Sequence, residues 1–217
     1  ERSRGLGDVY KRQVLYVNVG DYKNVWDELI RDIPQMRELA TEYFDNWKDT
    51  KAFATKALSA SQINNSDVVT DNNRDDNSKN ITADNSSEDT SDNITGIHGF
   101  YHKNIFEAVY CTNLLMRSAD VLVTKPSELA FYPVPKLFIK RVGGHEQWGA
   151  VHSAEIGDGT LECRDIPHTL QMIKLFMEDD TYIIDMCKNI KKNKQMGIYN
   201  GAYEAVKLAV NMKKSDI

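Results

Sequence analysis

Short apolar runs alternate with longer helical patterns along most of this chain, and this alternation constrains its fold more than any other feature. A run of β-branched and aromatic residues bounded by turn residues predicts a buried strand. Apolar residues spaced three or four positions apart predict a helix. Parallel strands need crossover connections, which helices supply. We therefore predict an α/β fold with a parallel sheet and helices on both of its faces.

The predicted strands cover residues 14–19, 96–100, 120–124, 136–140 and 160–163. The predicted helices cover residues 22–47, 105–116, 128–132, 145–156, 166–177, 179–195 and 199–212. Pro34 is expected to interrupt the first helix, because proline lacks the amide hydrogen that a helix interior needs. No strand is recognisable between this helix and Gly96.

Two segments are excluded from the predicted core. Residues 1–13 contain DVYKRQ, which one frame of a common sequencing adaptor encodes, and we interpret them as an adaptor artefact. Residues 61–95 are nearly all Asn, Asp, Ser and Thr, and they bury too little apolar surface to offset chain entropy, which predicts a disordered insert. The alternatives are a natural basic arm and a partner-binding segment. Residues 14–217 are otherwise expected to form a single α/β domain.

Composition narrows the classes of function. The hydrophobic fraction of 41% is enough for a core, and the net charge of −5 does not indicate a nucleic-acid surface. No apolar run is long enough to span a bilayer and no signal peptide is recognisable, so we expect a cytoplasmic protein. Cys111, Cys163 and Cys187 have no metal-site spacing and are expected to be reduced, buried thiols. No metal site is expected.

The first candidate site follows strand 120–124. This strand leads into Thr124, Lys125, Ser127 and Glu128, where a short helix is predicted to begin. The unpaired N–H groups and the dipole of a helix N-terminus attract phosphate, and Lys125 adds a positive charge. The turn therefore predicts a phosphate contact, the alternative being an ordinary capped helix.

The second candidate site is the loop after strand 136–140. Its glycines would allow a ligand close to the backbone, and its polar side chains offer donors and acceptors for sugar hydroxyls or phosphate. The residues are Arg141, Gly143, Gly144, His145, Glu146 and Gln147. Both loops leave neighbouring parallel strands at the same edge, so we expect them to face one crevice. His145 could instead have a structural role, and Trp148 is expected in the core.

These strings resemble a known family. The order of motifs resembles that of the C-terminal donor domain of GT-B glycosyltransferases. In this chain the order is Gly99 and Phe100, then a helix, then ADVLVTKP at 119–126 and GHEQWGA at 144–150. MurG-like and diacylglycerol glycosyltransferase-like enzymes are the nearest in pattern, together with a bacterial family of unassigned function. The resemblance spans about residues 97–210. It implies a Rossmann-like sheet, the C-terminal half of a GT-B fold.

The resemblance also implies a substrate and the residues that bind it. The substrate would be a nucleotide-diphosphate sugar, UDP-linked, with no separate cofactor. Phe100 would meet the base through its backbone, and the turn Lys125–Glu128 would meet the diphosphate. His145, Glu146 and Gln147 would meet the sugar or phosphates. Where the family pattern has two glycines after TKP, this chain has Ser127 and Glu128, and Pro133 shortens the following helix.

The function implied by the resemblance is transfer of the sugar to an acceptor held by a missing N-terminal domain. Catalysis would consist of positioning and electrostatic support of the leaving group, and neither a catalytic base nor the acceptor can be named. One alternative is a sugar-nucleotide epimerase or hydrolase of the same fold, with His145 and Glu146 as acid and base. The other is a binding module that has kept the fold without the chemistry.

Overall fold

The structure is a computed structural model that describes residues 14–66 and 94–215. The predictions for residues 1–13 and for most of the polar insert, 67–93, lie outside the described residues. The chain divides into two compact units between Ser118 and Ala119. We call them the first unit and the second unit and describe each by itself.

The first unit contains a three-stranded parallel sheet in the order β1-β3-β2. Its elements in chain order are β1 (Val14–Asn18), α1 (Lys23–Asp32), α2 (Pro34–Leu39), β2 (Ala40–Phe44), α3 (Trp47–Ser66), β3 (Gly96–Phe100) and α4 (Ile105–Leu115). The predicted strands at β1 and β3 are confirmed. The start of the polar segment is helical, because α3 extends to Ser66.

Helices cover both faces of this sheet. On one face, Trp26 of α1 packs with Val19 and Ile97. On the other face, Phe53 of α3 and Cys111 of α4 pack around the fully buried Phe100. The arrangement is a small three-layer α/β unit, as expected when crossover helices pack on either side of a parallel sheet.

The prediction of helix through residues 40–44 was wrong, because these residues form β2 and pair with β3. Tyr43 stacks on Trp26 with ring centroids 5.4 Å apart, and Phe44 stacks on Phe100 at 5.1 Å. These two contacts lie on opposite faces of the sheet, as neighbouring side chains of a strand require. Pairing with β3, which is distant in sequence, therefore overrides the local helical spacing.

The second unit has a two-stranded parallel sheet and four α-helices among its described residues. Its elements are β4 (Leu122–Thr124), β5 (Lys136–Phe138), α5 (Gln147–Ile156), α6 (Ile166–Glu178), α7 (Thr181–Gln195) and α8 (Gly201–Ser215). The three closing helices were predicted from the sequence and are confirmed. The predicted helix at 128–132 is instead a 3₁₀ turn, Glu128–Phe131.

The predicted strand at 160–163 is an extended segment rather than a full strand. It runs beside β5, where Gly159 forms an isolated parallel bridge with Lys136. The amide of Thr160 donates to the carbonyl of Lys136 at 3.0 Å, and the amide of Cys163 donates to that of Phe138 at 2.8 Å. This segment therefore covers the edge of β5 that faces away from β4.

A buried ionic network is centred on Lys136, the first residue of β5. The Lys136 ammonium is 2.8 Å from Asp158 Oδ2 and also donates to the carbonyls of Tyr132 and Val134, at 2.8 and 3.0 Å. Both charged side chains are fully buried. Burial lowers the pKa of Lys136, and its contact with Asp158 acts in the opposite direction.

The carboxylate of Asp158 has further partners. The hydroxyl of Ser153 donates to its Oδ1, and the hydroxyl of Tyr199 donates to its Oδ2 at 2.8 Å. Burial, together with the contact to Asp158, raises the pKa of Tyr199 to about 12. The network therefore joins β5, α5 and the residues before α8 through paired polar groups, as buried charges require.

The expectation of three buried thiols holds in part. Cys111 and Cys163 are buried, whereas Cys187 on α7 is exposed, so the prediction for Cys187 was wrong. Across the part of the chain that the structure describes, no helix is both long enough and apolar enough to cross a membrane. The predicted α/β class is confirmed at the level of small parallel sheets with packed helices.

Candidate functional site

The two candidate loops of the second unit meet at one edge of its sheet. The turn 125–128 follows β4, and the loop 141–147 follows β5. At this edge the amide of Ile139 donates to the carbonyl of Thr124 at 2.9 Å, which keeps the two strand ends together. The Lys125 ammonium lies 2.5 Å from Glu146 Oε1. We call the turn 125–128 and the loop 141–147 together the candidate edge.

Glu146 organises the loop from inside. Its side chain is buried, and its Oε2 accepts hydrogen bonds from the amides of Val142, at 2.8 Å, and Gly143, at 3.2 Å. The contact with Lys125, followed by these two amides, lowers the pKa of Glu146 to about 2. Glu146 is therefore an ionised carboxylate with both oxygens engaged, and it fixes the course of residues 142–146.

Lys125 presents positive charge at the surface of the edge. Its side chain is 43% exposed, and its pKa is raised mainly by the hydrogen bond to Glu146. An ammonium group has three donors, and the contact with Glu146 uses one of them. Lys125 can therefore contact an anionic ligand while still holding Glu146.

The turn after Lys125 differs from the predicted capped helix. The amide of Ser127 donates to the carbonyl of Lys125 at 2.8 Å, and the amide of Ala130 donates to that of Ser127 at 3.0 Å. The pKa of Glu128 is lowered by hydrogen bonds from its own backbone and from the Ser127 hydroxyl. The Glu128 carboxylate therefore takes up donors that the sequence analysis had assigned to phosphate.

Arg141 joins the loop to the extended segment beside β5. Its guanidinium Nη1 is 2.6 Å from Glu162 Oε2, and its amide donates to Glu162 Oε1 at 2.9 Å. The side chain remains 35% exposed. Arg141 thus holds the base of the loop and leaves part of its guanidinium at the surface.

His145 and Gln147 are exposed at the tip of the candidate edge. The His145 ring lies so close to the backbone of Gly143 that a Cβ there would be 2.7 Å from its Cε1 atom. A larger residue at Gly143 would displace the imidazole. Gly144, between Gly143 and His145 in the sequence, is exposed, and a Cβ there would meet no other atom within 4 Å.

Trp148 is 71% exposed, so the prediction that it packs in the core was wrong. The buried face of α5 instead carries the small residues Gly149, Ala150 and Ser153. A Cβ at Gly149 would lie 2.5 Å from the carbonyl oxygen of Pro126. Close packing of α5 against the turn 125–128 therefore requires the face of the helix that carries small residues. The indole of Trp148 lies on a different face and is exposed to solvent.

Phe100 belongs to the first unit, and its side chain is fully buried. Its carbonyl accepts a hydrogen bond from the amide of Val19 at 2.9 Å. A backbone contact between Phe100 and a nucleobase stays a prediction.

Sequence reasoning did not single out His102, two residues beyond β3. The ring is buried, and its Nε2 lies 2.9 Å from Thr50 Oγ1 on α3. Burial lowers its pKa, and Glu107 and the backbone of Asn46 act in the opposite direction. The apolar run of β3 ends before His102, so only the general rule that polar residues follow strands at this edge could have indicated it.

Within residues 14–66 and 94–215, no group of three or more His, Cys, Asp or Glu side chains is placed to hold a metal ion.

A protein-family model matches most of the chain. The family described as Domain of unknown function (DUF6938) matches residues 8–85 and 60–210. The chain belongs to the DUF6938 family. The match reaches into both units, and every residue of the candidate edge falls within its second segment, 60–210. No curated protein and no solved structure matches the chain.

Proposed function

We propose that this DUF6938 chain binds a nucleotide-diphosphate sugar, UDP-linked, at the candidate edge. The observation that carries the proposal is the contact between Lys125 and Glu146, which joins the two loops that follow neighbouring parallel strands. Ligands of open α/β sheets bind at the carboxyl ends of the strands, where such loops converge. The resemblance of 119–126 and 144–150 to GT-B donor domains supports the same ligand class.

The chemistry of the edge suits a ligand that has both phosphates and hydroxyls. Lys125 and Arg141 are partly exposed cations, each held in place by a carboxylate. Exposed His145 and Gln147 offer donors and acceptors that can pair with sugar hydroxyls. Because Glu146 keeps the loop 142–146 in one shape, binding would need little reorganisation there.

The activity that we propose is that of a GT-B-like glycosyltransferase, with this chain as its Rossmann-like donor half. Cations at the edge would stabilise the departing nucleoside diphosphate, and the loops would position the sugar. An N-terminal domain outside this sequence would hold the acceptor. A cytoplasmic location, peripheral to the membrane in the full-length protein, belongs to the same proposal.

The state of Glu146 bears on the alternatives. An epimerase or hydrolase using Glu146 as a general acid would need a protonated carboxyl near neutral pH. Its pKa of about 2 and its engaged oxygens speak against that role. The same features agree with a binding module without chemistry, which remains the second candidate.

The test is calorimetric titration of the chain with UDP and with a panel of UDP-sugars. We expect saturable binding that is weakened about tenfold or more by Lys125→Ala and by His145→Ala, a loss of at least ~1.4 kcal/mol each. Lys174→Ala is the matched control, because Lys174 is an exposed, ion-paired lysine on α6. Absence of binding at millimolar nucleotide would overturn the proposal.

Turnover separates the remaining candidates. Hydrolysis or epimerisation of a UDP-sugar by this chain without an acceptor would favour an epimerase or hydrolase. Binding without turnover, followed by transfer once the upstream region is restored and acceptors are supplied, would favour the glycosyltransferase. Binding without turnover in both cases would favour the binding module.

A further inference from the structure

A third backbone segment ends at the candidate edge, beside the two loops that define it. Residues 160–163 run parallel to β5, and the amide of Cys163 donates to the carbonyl of Phe138 at 2.8 Å. The segment therefore ends on the same side of the sheet as β4 and β5, where ligands of such sheets bind. Arg164 is the next residue, and α6 begins two residues after it.

The extended backbone places Arg164 beside the loop that follows β5. Cys163 is buried, and neighbouring side chains of an extended segment point to opposite faces. Glu162 and Arg164 therefore lie together on the face opposite to Cys163. Glu162 accepts hydrogen bonds there from the amide and the guanidinium of Arg141, so Arg164 is next to a residue that already contacts this loop.

The backbone around Arg164 is held by its neighbours. Its amide donates to Nδ1 of His168 at 3.3 Å, and the amide of His168 donates to Asp165 Oδ1 at 2.8 Å. The carboxylate that follows Arg164 in the sequence is therefore bound to the first turn of α6. The position from which the Arg164 side chain extends is fixed by these two contacts.

Arg164 differs from Lys125 and Arg141 in its charge balance. Lys125 is paired with Glu146, and Arg141 is paired with Glu162. Arg164 is exposed, and no ion pair joins it to another residue within 14–66 and 94–215. A guanidinium binds a carboxylate through two parallel hydrogen bonds, which gives such a pair both strength and a defined geometry. Arg164 therefore presents a positive charge that lacks a countercharge in the protein.

The order of the three segments across the sheet indicates which part of a ligand Arg164 would meet. Neighbouring strands are about 4.8 Å apart, so the turn 125–128 and Arg164 are separated by about 10 Å, with the loop 141–147 between them. If the diphosphate lies at the turn and the sugar at the loop, Arg164 lies beyond the sugar. It would then contact a substituent on the far side of the sugar ring.

We propose that the sugar of the bound nucleotide-diphosphate sugar carries a carboxylate, and that Arg164 binds this carboxylate. The inference rests on the proposed function, because it takes the ligand to lie across the candidate edge with its diphosphate at the turn 125–128. A carboxylate supplies the countercharge that Arg164 lacks, and its two oxygens match the planar guanidinium. A neutral hexose would supply neither.

The test is calorimetric titration with UDP-glucose and UDP-glucuronate, which differ only in a hydroxymethyl group and a carboxylate. We expect UDP-glucuronate to bind about tenfold more tightly or better. Arg164→Ala should weaken UDP-glucuronate about tenfold and leave UDP-glucose unchanged. Arg164→Lys should keep part of the preference, because it retains the charge without the planar group. Arg37→Ala is the matched control, since Arg37 is an exposed arginine on α2 of the first unit, and it should change neither affinity.

The outcomes distinguish this inference from the proposed function. If neither UDP nor the two UDP-sugars bind, the proposed function fails and this inference fails with it. If UDP binds and Lys125→Ala weakens it, the proposed function stands. Equal affinity for the two sugars, a preference for UDP-glucose, or a preference for UDP-glucuronate that survives Arg164→Ala would then overturn this inference alone. Added salt should reduce the preference, because an exposed ion pair is screened.

Discussion

Two lysine–carboxylate pairs in the second unit have the same chemistry but opposite settings. Lys136 and Asp158, 2.8 Å apart, are fully buried beneath β5. Lys125 and Glu146, 2.5 Å apart, lie at the candidate edge, where only the carboxylate is buried and the lysine side chain is 43% exposed. Within one small sheet, the buried pair therefore has a structural role, whereas the pair at the candidate edge presents a charge at the surface.

The contrast shows what burial does to the same pair of groups. The Lys136 ammonium has three protein oxygens as partners, one for each of its donors, which is the pairing that a buried charge needs. Removing one member would leave an uncompensated charge in a low-dielectric setting. At the edge, Glu146 is held inside while Lys125 keeps donors at the surface, which is the arrangement that a site for an anionic ligand needs.

The largest expected effect comes from breaking the buried pair. Lys136→Met should lower the free energy of unfolding by about 3–5 kcal/mol, because Asp158 loses its countercharge inside the protein. Urea denaturation measures this loss. Lys174→Met, at an exposed ion pair on α6, is the control and should change stability by less than about 1 kcal/mol. Similar losses for both variants would contradict the assigned role of the buried network.

A smaller loss is expected from the hydroxyl that completes the network. Tyr199→Phe removes a hydrogen bond to the buried carboxylate and should cost about 1.5–3 kcal/mol in urea denaturation. Tyr203→Phe, at an exposed position on α8, tests for a general effect of removing a phenolic hydroxyl and should be neutral. If Tyr199→Phe were also neutral, Asp158 would not depend on Tyr199.

The edge pair should reveal itself through pH rather than through a large loss of stability. The folded pKa of Glu146, about 2, lies below its ordinary value of 4.5, so its stabilisation is fully present above about pH 4.5. It should decline as the pH falls from about 4.5 towards 2. The difference in unfolding free energy between the wild type and Glu146→Gln should shrink across that window. A difference that stays constant from pH 6 to pH 2 would show that Glu146 is not held ionised.

The smallest effect is expected at the surface of α7. Lys188 and Asp185 form an exposed ion pair at 2.7 Å, and such pairs contribute about 0–1 kcal/mol. Lys188→Ala should therefore leave the urea midpoint nearly unchanged, and added salt should erase any remaining difference. If Lys188→Ala lowered the free energy of unfolding as much as Lys136→Met does, burial would not be what distinguishes these ion pairs.

Much of the fold could be predicted because it follows from local patterns. The apolar runs indicated β1, β3, β4 and β5, and helical spacing indicated α6 to α8. The strand β2 could not be predicted in this way, because Tyr43 and Phe44 fit helical spacing equally well. Only their contacts with Trp26 and Phe100, made on opposite faces of the sheet, decide between the two conformations.

The candidate edge was predictable in position but not in detail. Two polar loops after neighbouring parallel strands must lie close together, which places Lys125 near residues 141–147. The burial of Glu146 depends on how the backbone turns at Val142 and Gly143, and sequence spacing does not contain that information. The burial of Lys136 could have been predicted, because alternate residues of a strand share a face and Lys136 therefore lies on the same face as Phe138. A buried lysine in turn indicates an acidic partner.

Hydrogen exchange at residues 125–128 and 141–147, with and without a saturating UDP-sugar, tests the proposed function most directly. The account predicts slower exchange in both segments on binding, and loss of that protection in Lys125→Ala. Exchange at the buried network around Asp158 should be unchanged, because its groups are already fully paired. Unchanged exchange at both loops, or protection confined to other segments, would contradict the assignment of the ligand site to this edge.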